Sequence, residues 1–229
     1  QPMTDEDTDS DSDSDTGPDT GPDTGPELDR PILAALSALA TPPPRVLAGA
    51  HDQLTLRAER DGLLDVAYRT IDSPFGPLLL AATTTGLVRV AFDCEGHDAV
   101  LAALAGIVSP RILQSDRRTD DAARQLGEYF SGRRRSFDVP LDLRLVRGFR
   151  HDVIAHLQEI PYGETESYAV VAAATGNPRA VRAVGSACSH NPIPLVVPCH
   201  RVVRSDGTIG HYRGGVDAKA ALLALEASA

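Results

Sequence analysis

The sequence predicts a small α/β domain followed by a mostly helical domain, both behind an acidic extension with no core of its own. Three observations lead there. Residues 1–30 hold eleven Asp or Glu against one Arg, with Asp-Thr-Gly-Pro repeated three times between Asp15 and Pro26. Between Asp65 and Phe92, short apolar runs alternate with turn residues. Beyond Arg147 the apolar residues fall at helical spacing. At 229 residues the chain is long enough for either one core or two.

The elements follow in order. Residues 1–60 read as an acidic and Pro-rich extension, largely disordered, its Asp-Ser and Asp-Thr-Gly-Pro stretch lacking the apolar surface to offset the entropy of ordering. Within it, Pro31 to Leu39 is expected as a short helix before the break at Pro42-Pro43-Pro44. Residues 61–145 form the α/β domain. Val66–Ile71, Leu78–Ala82 and Leu87–Phe92 are a three-strand meander, and Ala99–Ile107 and Ala122–Phe130 have helical spacing. Arg133-Arg134-Arg135 reads as a solvated helix end or loop, and nothing in this domain looks catalytic. Residues 146–229 form the helical domain. Val153, Ile154, Leu157 and Ile160 share one helix face, and Pro161-Tyr162-Gly163 stops it. Ser167 caps a helix over Tyr168–Ala174. Thr175 to Pro178 is a turn, and Pro178 is placed to open a second helix that runs to about Ala187.

Charge redirects the functional reading. The net charge of −10 resides entirely in the first 30 residues, and the remaining 199 hold 21 acids and 21 bases. Inside that balanced body, Ser167 through Ser205 contains no Asp or Glu but has Arg179, Arg182, Arg201 and Arg204. Such a window favours an anionic ligand. The two short helices with a tight turn have the pattern of a helix-turn-helix, which an ordinary helical hairpin shares. Phosphates on a duplex are held by Arg, hydroxyls and helix N-termini, so nucleic acid is the expected ligand. There is no signal-peptide pattern and no apolar run near 18 residues, so a cytoplasmic protein without membrane contact is expected.

The reactive cluster is Val197-Pro198-Cys199-His200-Arg201. A free thiol is mostly protonated at neutral pH, and a neighbouring imidazole and cation lower its pKa. Pro198 fixes φ just before the sulfur and favours a defined turn. Three cysteines are too few for a disulfide framework and have no metal-ligand spacing. Cys94 and Cys188 read as buried small hydrophobes, and Cys199 as a nucleophile. A nucleophile just past a helix-turn-helix suggests chemistry on a base, which must be rotated out of the stack. Arg182 is the expected wedge, with Tyr168 crowding the phosphate behind it.

Several segments then resemble one family. Ile160-Pro-Tyr-Gly-Glu-Thr-Glu-Ser-Tyr168, Gly176-Asn-Pro-Arg-Ala-Val-Arg-Ala-Val-Gly185, Asn191-Pro-Ile-Pro-Leu-Val-Val-Pro-Cys-His-Arg-Val-Val203, Gly210-His-Tyr-Arg-Gly-Gly215, Lys219 and Leu222-Leu-Ala-Leu-Glu226 are similar to the O6-alkylguanine-DNA alkyltransferases. The resemblance implies a ribonuclease-H-like first domain and a winged-helix-like second. It implies irreversible transfer of a methyl or other alkyl group from O6 of guanine in duplex DNA to Cys199, once per molecule, with O4-alkylthymine left open. It makes Glu226, His200, a water and Cys199 a proton relay, Asn191 a hinge, Arg182 the finger and Tyr168 the phosphate-rotating tyrosine. Tyr212 matches the residue of the guanine-pocket loop whose amide faces O6. Ser167, Arg201, Val202, Arg213 and Gly214 lie in the matched segments and are placed with it at the substrate. The implied protein is a monomer with no obligate protein partner, no cofactor and no metal, Cys94 being the only N-terminal cysteine.

Some positions depart from the family pattern. His211 and Arg213 flank Tyr212 where many relatives have a small residue after the tyrosine. Arg213 is expected to narrow the pocket or to extend to a phosphate. Ile154 stands where relatives often have tryptophan, which reads as repacking. Three other functions fit parts of the sequence: a lesion-binding module without an acceptor cysteine, a Cys-His-Glu hydrolase, and a transcription factor. Cys199 argues against the first.

Overall fold

The computed structural model describes residues 44–228, so the acidic repeats and the helix expected over Pro31–Leu39 lie outside the described residues. Residues 48–229 form one compact unit. Its first element is α1, Pro44–Arg60, a helix inside the segment that composition assigns to the extension. From Ala48 onward it is held by identifiable contacts. Ala58 is buried in a small cluster with Leu64 and Ala67, the His51 ring nitrogen Nε2 pairs with the Gln114 carbonyl at 2.7 Å, and Glu59 faces Arg117 and Arg118. The packed body therefore begins before residue 61.

The meander forms as the apolar runs predict. Strands β1 (Val66–Ile71), β2 (Leu78–Ala82) and β3 (Leu87–Phe92) pair antiparallel in sequence order. A fourth strand, β4 (Ile112–Gln114), adds parallel to β1, giving the order β3-β2-β1-β4. Three residues carry too little pattern to be read as a strand in advance. Both faces of the sheet are covered, which explains why β2 and β3 read as continuous apolar runs rather than alternating ones. Leu79, Ala81, Val88 and Ala91 pack on Val100 and Leu104 of α2 (His97–Ile107). Leu78, Leu80, Val90 and Phe92 pack on Ala122, Leu126 and Tyr129 of α3 (Asp120–Phe130), in a cluster that continues into the helical half.

That half holds α4 (Phe149–Leu157), β5 (Glu166–Ser167), α5 (Tyr168–Ala174), α6 (Val181–Ser189), β6 (Val202–Val203) and α7 (Val216–Ala227). Helix α4 ends before Ile160, yet Ile160 stays buried, so the apolar stripe outlasts the helix. The Ser167 hydroxyl accepts from the Val170 amide and caps α5 as expected. Pro178 does not open α6. It sits instead in a turn closed by the Ala180 amide donating to the Asn177 carbonyl, and the helix begins at Val181. Proline suits the second position of such a turn as well as it suits a first helical turn. No helix among the described residues is long and apolar enough to cross a membrane.

Candidate active site

Every residue from Asn191 to His200 is buried, and Asn191 organises the segment. Its side-chain carbonyl accepts from the Ile193 amide (3.0 Å), and its amide nitrogen donates to the Val197 carbonyl (2.8 Å) and to Cys199 Sγ (3.2 Å). Leu195 is the one non-glycine among the described residues with positive φ, at 74°, and this brace holds it there. The Cys199 amide bonds to the Val197 carbonyl across Pro198, at φ −82° and ψ 61°, a geometry close to an inverse γ-turn. The proline-set turn expected from sequence is thus present, and it delivers the sulfur into a short 3-10 turn, Cys199–Arg201.

The sulfur's electrostatics differ from the sequence expectation. Cys199 is 2 % exposed, and burial pushes its thiol up, against the lowering effect of the Asn191 amide and of Lys219. Arg201 does not face it. Its Nε and Nη2 form a two-pronged pair with Glu226 at 2.9 Å each, and Nη1 donates to the Ile160 carbonyl at 2.6 Å. The Arg201 guanidinium is therefore committed to Glu226 and Ile160. A rigid fork beside a buried carboxylate is satisfied there rather than at the thiol.

Glu226 is the centre of the cluster. Its Oε1 also accepts from Tyr129 Oη (2.7 Å) and His200 Nε2 (2.9 Å), and its Oε2 from the Gly163 amide (3.1 Å). Hydrogen bonds from His200 and Arg201 hold the carboxyl well below its usual range, overriding a burial effect that acts upward. Because a carboxylate only accepts, Nε2 carries the imidazole proton, leaving Nδ1, which has no protein partner, as the basic nitrogen. Tyr129 comes from the α/β domain, where the sequence pattern predicts nothing catalytic. A tyrosine at an apolar position of α3 has no sequence signal that separates it from core.

Burial lowers the His200 pKa in spite of Glu226. A depressed folded-state pKa means the unfolded chain binds more protons below its own value of about 6.5. Stability from this group is complete above that pH and lost as pH falls toward the folded value. Urea titrations between pH 7.5 and 5 should show stability declining by up to about 1.4 kcal/mol per unit. A slope that is the same in His200→Gln would show that His200 is not its source.

Two further groups lie near the sulfur. Lys219 is fully buried, donates to the Val202 carbonyl, and stands 5.9 Å from the Tyr168 ring centre. The half-buried Tyr168 has its hydroxyl pushed up to about 12, first by burial and then by the nearby Cys188 and Cys199. Val202 is buried in β6, paired with Glu166 of β5; its amide donates to the Cys199 carbonyl and its own carbonyl accepts from Lys219. Tyr212 is buried, edge-on to Phe92 and His200. The Arg213 side chain is tied down within the protein instead of reaching outward to a phosphate. Its Nη1 pairs with Glu95, and Nε and Nη2 donate to the Ser189 carbonyl. Gly214 lies against the Phe92 ring. Cys94 is exposed and not buried, because β3 ends at Phe92 and Cys94 falls in the following 3-10 turn, while Cys188 is buried as expected. Arg179, Arg182 and Arg204 are exposed, with Arg182 in the first turn of α6.

Residues 66–143 match the ribonuclease-like domain of 6-O-methylguanine DNA methyltransferase, and residues 148–228 match its DNA-binding domain. The chain belongs to this methyltransferase family. A methylated-DNA–protein-cysteine methyltransferase from Mycolicibacterium paratuberculosis is 43% identical over 161 residues, covering 70% of this chain and 92% of that protein. The solved O6-methylguanine methyltransferase of Mycobacterium tuberculosis matches with a TM-score of 0.62 at 41% identity, over 71% of this chain and 93% of that one. A second M. tuberculosis structure, solved in complex with DNA, matches with a TM-score of 0.60 and the same coverage. The two-domain architecture of the methyltransferase family is thus present here, with the buried Cys199 cluster in its DNA-binding domain.

Proposed function

We propose that this protein is a direct-reversal DNA repair methyltransferase that transfers the methyl group of O6-methylguanine to Cys199. The observation that carries this reading is a buried cysteine braced by Asn191 beside a His200–Glu226 pair, in a chain of this family. The thiol proton passes to His200 Nδ1, through a water where the two do not touch, and Glu226 stabilises the imidazolium. The thiolate attacks the methyl carbon in line. An S–C bond forms as the C–O6 bond breaks, and the guanine anion takes back a proton. No group here can hydrolyse a thioether, so each molecule acts once. Donor and acceptor supply all the atoms, and no cofactor is needed.

Duplex DNA is the partner, met by α5 and α6 acting as a helix-turn-helix. The acid-free stretch from Ser167 to Ser205 and the exposed Arg179, Arg182 and Arg204 support that docking. Arg182 fills the gap left by the rotated guanine, Tyr168 and the α5 N-terminus at Ser167 face the phosphate, and the Tyr212 loop receives the base. Every group in this scheme comes from one chain, which supports action as a monomer.

Incubation with a duplex containing O6-methylguanine should add the mass of one methylene, on the Cys199 peptide alone, with no further turnover. DNA binding without mass gain would point to a lesion-recognition module instead. Repeated ester turnover would indicate a hydrolase. Arg182→Ala should slow transfer from duplex about tenfold while leaving transfer from free O6-benzylguanine within about twofold, since only the duplex needs the base extruded. Equal rates on duplex for variant and wild type would remove Arg182 from that role.

A further inference from the structure

The loop beside the site, Gly210–Gly215, is tied to both halves of the fold. Arg213 Nη1 pairs with Glu95 Oε2 at 2.5 Å, while its Nε and Nη2 converge on the Ser189 carbonyl at the end of α6, at 3.1 and 2.8 Å. Glu95 is in turn fixed from both sides. Its Oε1 accepts the Phe92 amide at 3.0 Å, and its Oε2 also accepts from Arg89. Arg89 continues the chain by donating to the Pro192 carbonyl at 3.0 Å, beside the Asn191 brace. Exposure of these side chains is only 9 % for Arg89, 11 % for Glu95 and 25 % for Arg213, so water screens the network weakly. Beside it, the loop is pressed flat on Phe92. A Cβ on Gly214 would lie 2.7 Å from that ring, and the Tyr212 ring stands edge-on to it at 5.6 Å.

We infer that the Arg213–Glu95 pair is a latch that limits how bulky an alkyl group the site accepts. The sulfur is 2 % exposed, and Tyr212 shares its buried cluster and stands edge-on to His200, so a group entering beside the sulfur meets the Tyr212–Gly214 segment. An O6 substituent larger than methyl must push that segment off Phe92, which breaks a shielded charge pair and two bonds to Ser189. A methyl group makes no such demand. The latch is a specificity determinant acting through loop position, since Arg213 itself points away from the sulfur toward Glu95 and Ser189.

The test compares single-turnover rates on two duplexes that differ only in O6-methylguanine or O6-benzylguanine, with the Cys199 peptide weighed in each case. In Glu95→Gln the methyl rate should stay within about threefold of wild type and the benzyl-to-methyl ratio rise at least tenfold, about 1.4 kcal/mol. That change also strips Arg89 of its partner, so Arg213→Gln, which leaves the Arg89–Glu95 pair in place, is measured beside it and should raise the ratio likewise. A ratio within twofold of wild type in Arg213→Gln overturns the latch, as does a proportional loss of both rates in both variants. The inference rests on Cys199 being the acceptor. Absence of mass gain on Cys199 in the wild type, from either duplex, overturns that reading and the latch with it.

Discussion

Glu226→Gln should cost about 3–5 kcal/mol of stability and slow methyl transfer by about two orders of magnitude. The carboxylate accepts five hydrogen bonds, from Tyr129, His200, Gly163 and twice from Arg201, and its side chain is 1 % exposed. A glutamine keeps the shape but turns one acceptor into a donor, which then faces donors on either side. Arg201 is left as a buried cation without a counter-charge, the circumstance in which breaking a buried pair is most destabilising. The partners come from α3, from the segment before β5, and from the Cys199 turn, so the loss is felt across both halves of the fold. The kinetic effect has a separate origin. Once His200 takes the thiol proton, the resulting imidazolium has only Glu226 to neutralise it, and without that anion the proton returns to sulfur. Chemical denaturation reads the first effect and a rapid-quench methylation assay the second. Stability within 1 kcal/mol of wild type, or a rate within threefold, would remove Glu226 from the centre of the cluster.

What was legible in the sequence follows from range. Strands β1 to β3 lay where apolar runs between turn residues put them, and helix α5 lay between the Ser167 cap and the Thr175–Pro178 turn that bound it in sequence. Strand β4 and the β5–β6 pair are three and two residues long and leave none. The cluster's members Cys199, His200, Asn191 and Glu226 were readable from chemistry and resemblance, whereas their pairings were not. Arg201 adjoins the cysteine in sequence, yet its fork is directed to a carboxylate 25 residues on. Arg213 seemed to belong to the substrate and is bound to Glu95, 118 residues earlier. Charged side chains find the nearest buried opposite charge in three dimensions, and adjacency in one dimension says little about it. Lys219 did leave a signal. With Leu222 and Glu226 it falls at i, i+3 and i+7 on α7, and two charges on one buried stripe mark a site rather than a core.

That lysine should separate stability from reactivity. Lys219→Met is expected to leave stability within about 1 kcal/mol of wild type while slowing transfer ten- to a hundredfold. Lys219 is fully buried, its only hydrogen bond goes to the Val202 carbonyl, and among the described residues it forms no ion pair with a carboxylate. Burial pulls its ammonium below the ordinary value, while Cys199 and Cys188 act the other way. A buried ammonium without a carboxylate carries a desolvation cost that methionine, of similar length, removes. The Val202 carbonyl left unpaired costs about 1–3 kcal/mol, of similar size and opposite sign. For the reaction the balance is one-sided. A nearby cation favours the thiolate, and a buried setting screens that attraction weakly, so removing the ammonium moves the thiol further up. Burial already pushes Cys199 up, and Lys219 is among the few groups that pull it down. The rate of Cys199 alkylation by iodoacetamide, followed against pH, should therefore titrate at higher pH in Lys219→Met. Since methionine at a merely structural position would not move that titration, a pH profile superimposable on wild type would show that the ammonium stabilises the fold and not the thiolate.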